Sequence, residues 1–219
     1  LGAMSPDFEY FLRLKPFGTV GHTWWGVFVM NVPIAILLAY IFHYMVKLPL
    51  VSNFPVSIQR YFVEIARFKW KIKGFKAWSV FILSIIIGAW SHIFWDSWTH
   101  ETGYFVQMFE IFKNEVYIAS FRWPVYKFLQ HGSTLIGFFI IAMYVFRNRA
   151  KGDFELLNRE LKCKVIYWLI FLAATVSFVC ISYITGNIRG IGAVVVVLID
   201  GAVIGCIIAS GVDRIKNIM

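Results

Sequence analysis

Five long apolar runs, separated by polar and mostly basic connections, limit what this chain can fold into. They cover residues 24–46, 77–95, 132–146, 165–185 and 191–212. A helix needs about 20 such residues to cross a bilayer, and in lipid only helices or closed barrels satisfy their own backbone. The runs are unbroken rather than alternating, so the expected fold is all-α. It is a polytopic membrane helix bundle with about five transmembrane helices plus interfacial helices, forming a single integral-membrane domain over residues 1–219. The run at 132–146 is short and is expected to begin near Tyr126. Pro33 should kink the first span without breaking it.

Composition agrees. Apolar residues make up 59% and charged residues 15%, and the mean hydropathy is +0.70, which excludes an ordinary soluble domain. The net charge of +9 would suit nucleic acid, but its distribution argues for membrane orientation and no nucleic-acid partner. Seven Lys and Arg lie in 47–76, six in 147–164 and two in the tail. The alternate connections hold two before Trp24, three in 96–131 and only Arg189 in 186–190. Positive connections stay cytoplasmic. The C-terminus is therefore expected inside, and the N-terminal segment and the 96–131 connection outside. Within the connections, 57–70 carries Ile58, Tyr61, Phe62, Ile65 and Phe68 at helical spacing among basic residues, as a helix lying on the inner surface would. The aromatic stretch 105–128 suits an outer lid or interfacial helix. The chain opens without an initiator Met, so an upstream segment is expected to be missing, with a helix that stops before Pro6.

This topology gathers ligand-type side chains at one surface. His92, Asp96 and His100 stand four residues apart, on one helix face. His22 precedes the first span and His131 opens the third, both on the outer side. Asp7 and Glu9 belong to the outer N-terminal segment, and Glu101 follows His100. Only His43 falls at the inner end. Imidazoles and carboxylates are zinc ligands, and a hydrolytic site leaves one position for a water whose pKa the metal lowers. Asp7, His22, His92, Asp96, His100 and His131 are the expected metal ligands, enough for one ion or two, with Glu9 or Glu101 as general base. Each histidine taken singly would also suit a hydrogen-bonded interfacial residue, and Trp90, Trp95 and Trp98 suit an aromatic belt.

Two further features bear on function. Cys163, Cys180 and Cys206 form no C-x-x-C pair, so neither a disulfide framework nor a thiolate site is expected. Asp200 lies inside the fifth span, where a carboxylate is costly. Helix packing through Thr175 or Ser177, beside the close-packing pair Gly201 and Gly205, is favoured over transport.

The motifs Ser5-Pro-Asp-Phe-Glu-Tyr-Phe11, Gly21-His-Thr23, Ser91-His-x3-Asp-Ser-x-Thr-His100 and Gln130-His-Gly-Ser133 resemble, in order, those of the bacterial membrane family DUF4184. That family opens with a Pro-Phe-x-x-Ser-His-Pro element not found here. A looser resemblance, through the same six Asp and His positions, extends to membrane-bound metal-dependent hydrolases and zinc-dependent phospholipase C, and it implies phosphoester hydrolysis. The resulting expectation is a zinc-dependent hydrolase of phosphoester or lipid-like substrates in the bacterial cytoplasmic membrane. Its site would face outward, with membrane lipid as partner and sideways access for substrate past Trp24, Trp25, Trp95 and Trp98. The alternatives are a metal-ion or proton transporter and a non-catalytic structural subunit.

Overall fold

The computed structural model describes residues 1–118, 121–150, 157 and 159–216. Five of its helical segments are long and apolar enough to cross a membrane: Val27–Ser52, Gly74–Met108, Val125–Arg147, Leu161–Ile184 and Ile191–Ile215. The chain is thus a multi-pass membrane helix bundle, as its hydropathy predicts.

A 3-10 turn over Gly2–Asp7 leads into the short helix α1 (Phe8–Arg13). The turn runs through Pro6 rather than stopping before it, and the Ala3 carbonyl that proline leaves without an N–H is taken by the His92 side chain. The first span is a composite. The helices α2 (Val32–Tyr40) and α3 (Lys47–Ser52) alternate with wide π turns at Val27–Asn31 and Ile41–Val46. Pro33 sits in the first turn of α2, where its missing donor is tolerated.

The amphipathic helix α4 (Val56–Arg67) follows and buries Gln59, Val63 and Ala66. It ends three residues earlier than its apolar pattern implies, and residues 68–73 continue without helix. Helix α5 (Gly74–Thr99) then crosses the bundle. Val27 meets Ile86 and Ala89 there, with Trp90 and Ile93 around them, to form a buried seam between the first span and α5.

The 105–128 stretch departs from expectation. After the one-turn helix α6 (Tyr104–Met108) come two antiparallel strands, β1 (Glu115–Ile118) and β2 (Phe121–Pro124). Val116, Tyr117, Ile118, Phe121 and Trp123 in these strands are β-branched or aromatic, which favours a pleated ribbon over a helix. Helix α7 (Val125–Arg147) begins where expected and has bare apolar flanks. Leu135, Ile136, Phe138, Phe139 and Ile141 are each more than 60% exposed, a surface suited to lipid.

Helices α8 (Leu161–Ile184) and α9 (Ile191–Lys216) form the tightest pair. A Cβ on Gly205 would stand 2.7 Å from the Phe171 carbonyl oxygen, so only glycine permits this approach. Thr175 Oγ1 donates to the Phe171 and Gly201 carbonyls and not to Asp200. Asp200 Oδ2 is buried without a hydrogen-bond partner, which removes the expected role for Thr175 as its partner.

Candidate metal centre

The site is assembled by three pieces of chain: the N-terminal segment, the loop before the first span, and the far end of α5. Close backbone packing brings the first piece in. A Cβ on Gly88 of α5 would lie 2.7 Å from the Ala3 amide nitrogen, so the segment rests directly on the helix backbone. Pro6 has no N–H to offer the Ala3 carbonyl three residues back. That carbonyl accepts instead from His92 Nδ1, at 2.7 Å. The bond fixes the tautomer: Nδ1 carries the proton and Nε2 presents its lone pair. Nε2 is buried and faces Asp96 Oδ2 at 3.1 Å.

The loop is organised by Glu9. Its carboxylate accepts from the backbone amides of Thr19, Val20 and Gly21 at 2.9, 2.8 and 2.7 Å, and from Arg13 Nε at 2.7 Å. Burial opposes the charge, but these donors outweigh it and hold the Glu9 carboxyl down at about 2. Asn31 Nδ2 ties the Gly21 carbonyl at 2.8 Å. A Cβ on Gly21 would strike the Pro6 carbonyl oxygen at 2.4 Å, so glycine is required beside His22. The His22 ring stacks on Tyr10 with centroids 5.4 Å apart.

At the centre, His22 Nε2 lies 3.4 Å from Asp7 Oδ1 and 3.4 Å from Asp96 Oδ2. His92 Nε2 lies 3.6 Å from Asp7 Oδ1 and 3.1 Å from Asp96 Oδ2. Charge-assisted hydrogen bonds close to about 2.7–2.9 Å. Two ligands bound tetrahedrally to zinc at about 2.05 Å stand roughly 3.3 Å apart, and the four separations fall around that value. One atom each from Asp7, His22 and His92 lies within 4.8 Å of the others. The donor set therefore fits a divalent ion. Without an ion, burial disfavours a charged His22, but the Asp7 and Asp96 carboxylates override it and raise its pKa to about 9.

His100 has a different position from the one its spacing implies. Helix α5 ends at Thr99, and His100 is its extended C-cap. Gln130 of α7 selects the tautomer of its ring. Lys127 Nζ donates to Gln130 Oε1 at 3.1 Å, so Gln130 Nε2 must be the group that donates to His100 Nε2, also at 3.1 Å. The His100 proton is then on Nδ1, 3.4 Å from Asp96 Oδ1 and 3.3 Å from Thr99 Oγ1. With one nitrogen taken by Gln130 and the other turned to Asp96, His100 buttresses the carboxylate rather than offering a free lone pair.

The remaining expected residues stand apart. His131 is exposed against the Trp123 ring, 5.0 Å between centroids, one helical step round from Gln130. Glu101 lies on the exposed turn after His100. Among the described residues, no hydrogen bond or ion pair joins either to the cluster. Glu9 is committed to the loop. Sequence reasoning passed over Tyr10, Gln130 and the Ala3 carbonyl. Tyr10 was detectable, three residues from Asp7 and hence on its helical face.

An open cleft of about 350 Å³ adjoins the cluster, lined by Asp7, Tyr10, His92, Asp96 and His100 and by Gln130, Ser133 and Thr134 of α7. Trp95 Nε1 donates to Ser133 Oγ at 3.2 Å and joins the two helices there. Lys76 and Asp96 are 20 residues apart on α5, about 30 Å along the axis, which matches the thickness of a hydrocarbon core. The cluster and the basic end of α5 therefore lie one hydrocarbon thickness apart along the helix.

No curated protein and no solved structure matches the chain. A family model described as a domain of unknown function does match, over residues 1–211. The chain, including every side chain of the cluster, belongs to the DUF4184 family.

Proposed function

We propose that this protein is a membrane-embedded, zinc-dependent hydrolase of phosphoester or lipid-like substrates. The observation that carries the proposal is His92. Its Nδ1 is tied to the Ala3 carbonyl, and its buried Nε2 faces Asp7 and Asp96 at the separations expected of zinc ligands, with His22 beside it. Asp7, His22, His92 and Asp96 would hold the ion. A divalent ion bound there supplies Lewis acidity and an acidified water.

The chain's own groups complete the site. Glu9 holds the loop that presents His22, and His100, braced by Gln130, holds Asp96. Burial and the nearby Asp7, Asp96 and Glu9 charges push the Tyr10 phenol up from its ordinary value. Its hydroxyl therefore stays protonated at neutral pH and can donate to a substrate oxygen in the cleft. The bare apolar flank of α7 beside Ser133 and Thr134 offers a lipid-like substrate a sideways approach. The distribution of Lys and Arg puts this surface outside the bacterial cytoplasmic membrane, with the C-terminus inside.

The test is metal analysis of purified protein together with hydrolysis of phosphomonoester and phospholipid substrates. Stoichiometric zinc, lost with activity in His92→Ala and Asp96→Asn, is the expected result. A wild type without divalent ion, or equal zinc in the variants, refutes the reading. One observation favours a proton or ion pathway instead, namely the unpartnered Asp200 Oδ2 within α9. Liposomal flux lost in Asp200→Asn and kept in His92→Ala would support that alternative.

A further inference from the structure

At the basic end of α5, opposite the metal-ligand cluster, an open groove of about 610 Å³ is lined by Trp70, Lys73, Lys76, Val80, Phe81 and Ser84, with Ile72 and Ala77. Its chemistry changes along its length. Lysines mark the end nearest the aqueous boundary, and apolar side chains continue from Lys76 to Ser84, about 12 Å down the helix.

The rim is held in place by the first span. Trp70 stacks face to face on His43, with centroids 4.5 Å apart, and packs edge-on against Tyr40 and Phe81. Tyr44 Oη donates to the Trp70 carbonyl at 3.2 Å, and Lys47 Nζ donates to the Phe68 carbonyl. These contacts fix a non-helical strip in which exposed Lys69, Lys71 and Lys73 alternate with half-buried Trp70 and Ile72. Alternation of this kind turns the lysines to one side. Among the described residues, no carboxylate pairs with Lys69, Lys71, Lys73 or Lys76. The strip is a fixed array of uncompensated positive charge above an apolar channel at membrane depth.

We propose that this groove binds an anionic phospholipid, with its phosphate between Lys73 and Lys76 and one acyl chain along Val80, Phe81 and Ser84. Uncharged lipid would satisfy the channel but leave the lysines without counter-charge. Each lysine near an anionic lipid surface contributes about fivefold to binding.

Quenching by lipids brominated on their acyl chains tests this, using full-length protein in micelles. The part of the tryptophan emission absent from Trp70→Phe reports the groove. Brominated phosphatidylglycerol should quench that part at a mole fraction at least tenfold below brominated phosphatidylcholine. The preference should largely vanish in Lys73→Gln/Lys76→Gln and persist in Lys73→Arg/Lys76→Arg. Native mass spectrometry of wild type should show retained phosphatidylglycerol in preference to phosphatidylcholine, a readout that needs no variant. Equal quenching by the two lipids, an unchanged preference in the glutamine variant, or displacement of lipid by excess inorganic phosphate would overturn the proposal.

Discussion

Replacing Glu9 by Gln tests whether a buried carboxylate builds the loop that carries His22. Both carboxylate oxygens are in use: Oε1 faces the Thr19 amide and Arg13, and Oε2 faces the Val20 and Gly21 amides. An amide has one oxygen and one NH2. In either orientation its NH2 meets a pair of donors, leaving at least two of them without an acceptor. A buried unsatisfied donor costs about 1–3 kcal/mol. A similar figure follows from the pKa of Glu9, which falls from 4.5 to about 2; at about 1.4 kcal/mol per pKa unit this is at most about 3.5 kcal/mol. Water near the loop trims it, so the expected loss is about 2–3 kcal/mol at pH 7. The sign is that of a depressed acid. The stabilisation is complete above pH 4.5 and fades as pH falls toward about 2, whereas Glu9→Gln has none to lose. Wild type and variant should therefore converge, with roughly half the difference gone near pH 3. Unfolding in mixed micelles, followed by tryptophan fluorescence at pH 7, 5 and 3, measures it. A difference below about 1 kcal/mol at pH 7, or one that stays constant down to pH 3, would refute the argument.

The other expectations separate ligands from their supports. At saturating zinc, Gln130→Ala should keep the wild-type stoichiometry but weaken affinity by about 10- to 100-fold, as loss of an outer hydrogen bond does; isothermal titration decides between this and the complete loss expected of His92→Ala. Gly88→Ala should push the N-terminal segment off α5, since the new Cβ would meet backbone atoms of Gly2 and Ala3. Overpacking of this kind costs about 1–3 kcal/mol, and limited proteolysis near the N-terminus together with zinc content reads it. Gly205→Ala should destabilise the α8–α9 pair by a similar amount and leave zinc content unchanged, which metal analysis of the folded fraction checks.

Much of the fold is legible because lipid makes hydropathy and length nearly sufficient. Helix α9 starts at the residue where its apolar run starts, and α7 begins one residue before Tyr126. The 105–128 stretch was harder to read, since aromatic content alone does not separate an interfacial helix from a two-stranded ribbon. The end of α4 was likewise obscured by a basic segment, 68–73, held non-helical by Tyr44 and Lys47 from another part of the chain.

The site was legible by residue type but not by role. The charge distribution and the four-residue steps bring Asp7, His22, His92 and Asp96 to one surface, and the structure places each of the two carboxylates within 3.1–3.6 Å of both imidazoles. Spacing treats His92 and His100 alike, eight residues apart on one presumed face. What distinguishes them is which nitrogen is already occupied. For His92 the occupant is a backbone carbonyl released by Pro6, 89 residues earlier. For His100 it is an amide 30 residues later, itself oriented by Lys127. A carbonyl on Nδ1 leaves Nε2 free for an ion. An amide on Nε2 leaves only a proton pointing at Asp96. The same residue type at the same helical phase is thus turned toward the Asp7 and Asp96 carboxylates in one case and becomes a brace in the other, and the choice is made by partners that no local pattern contains.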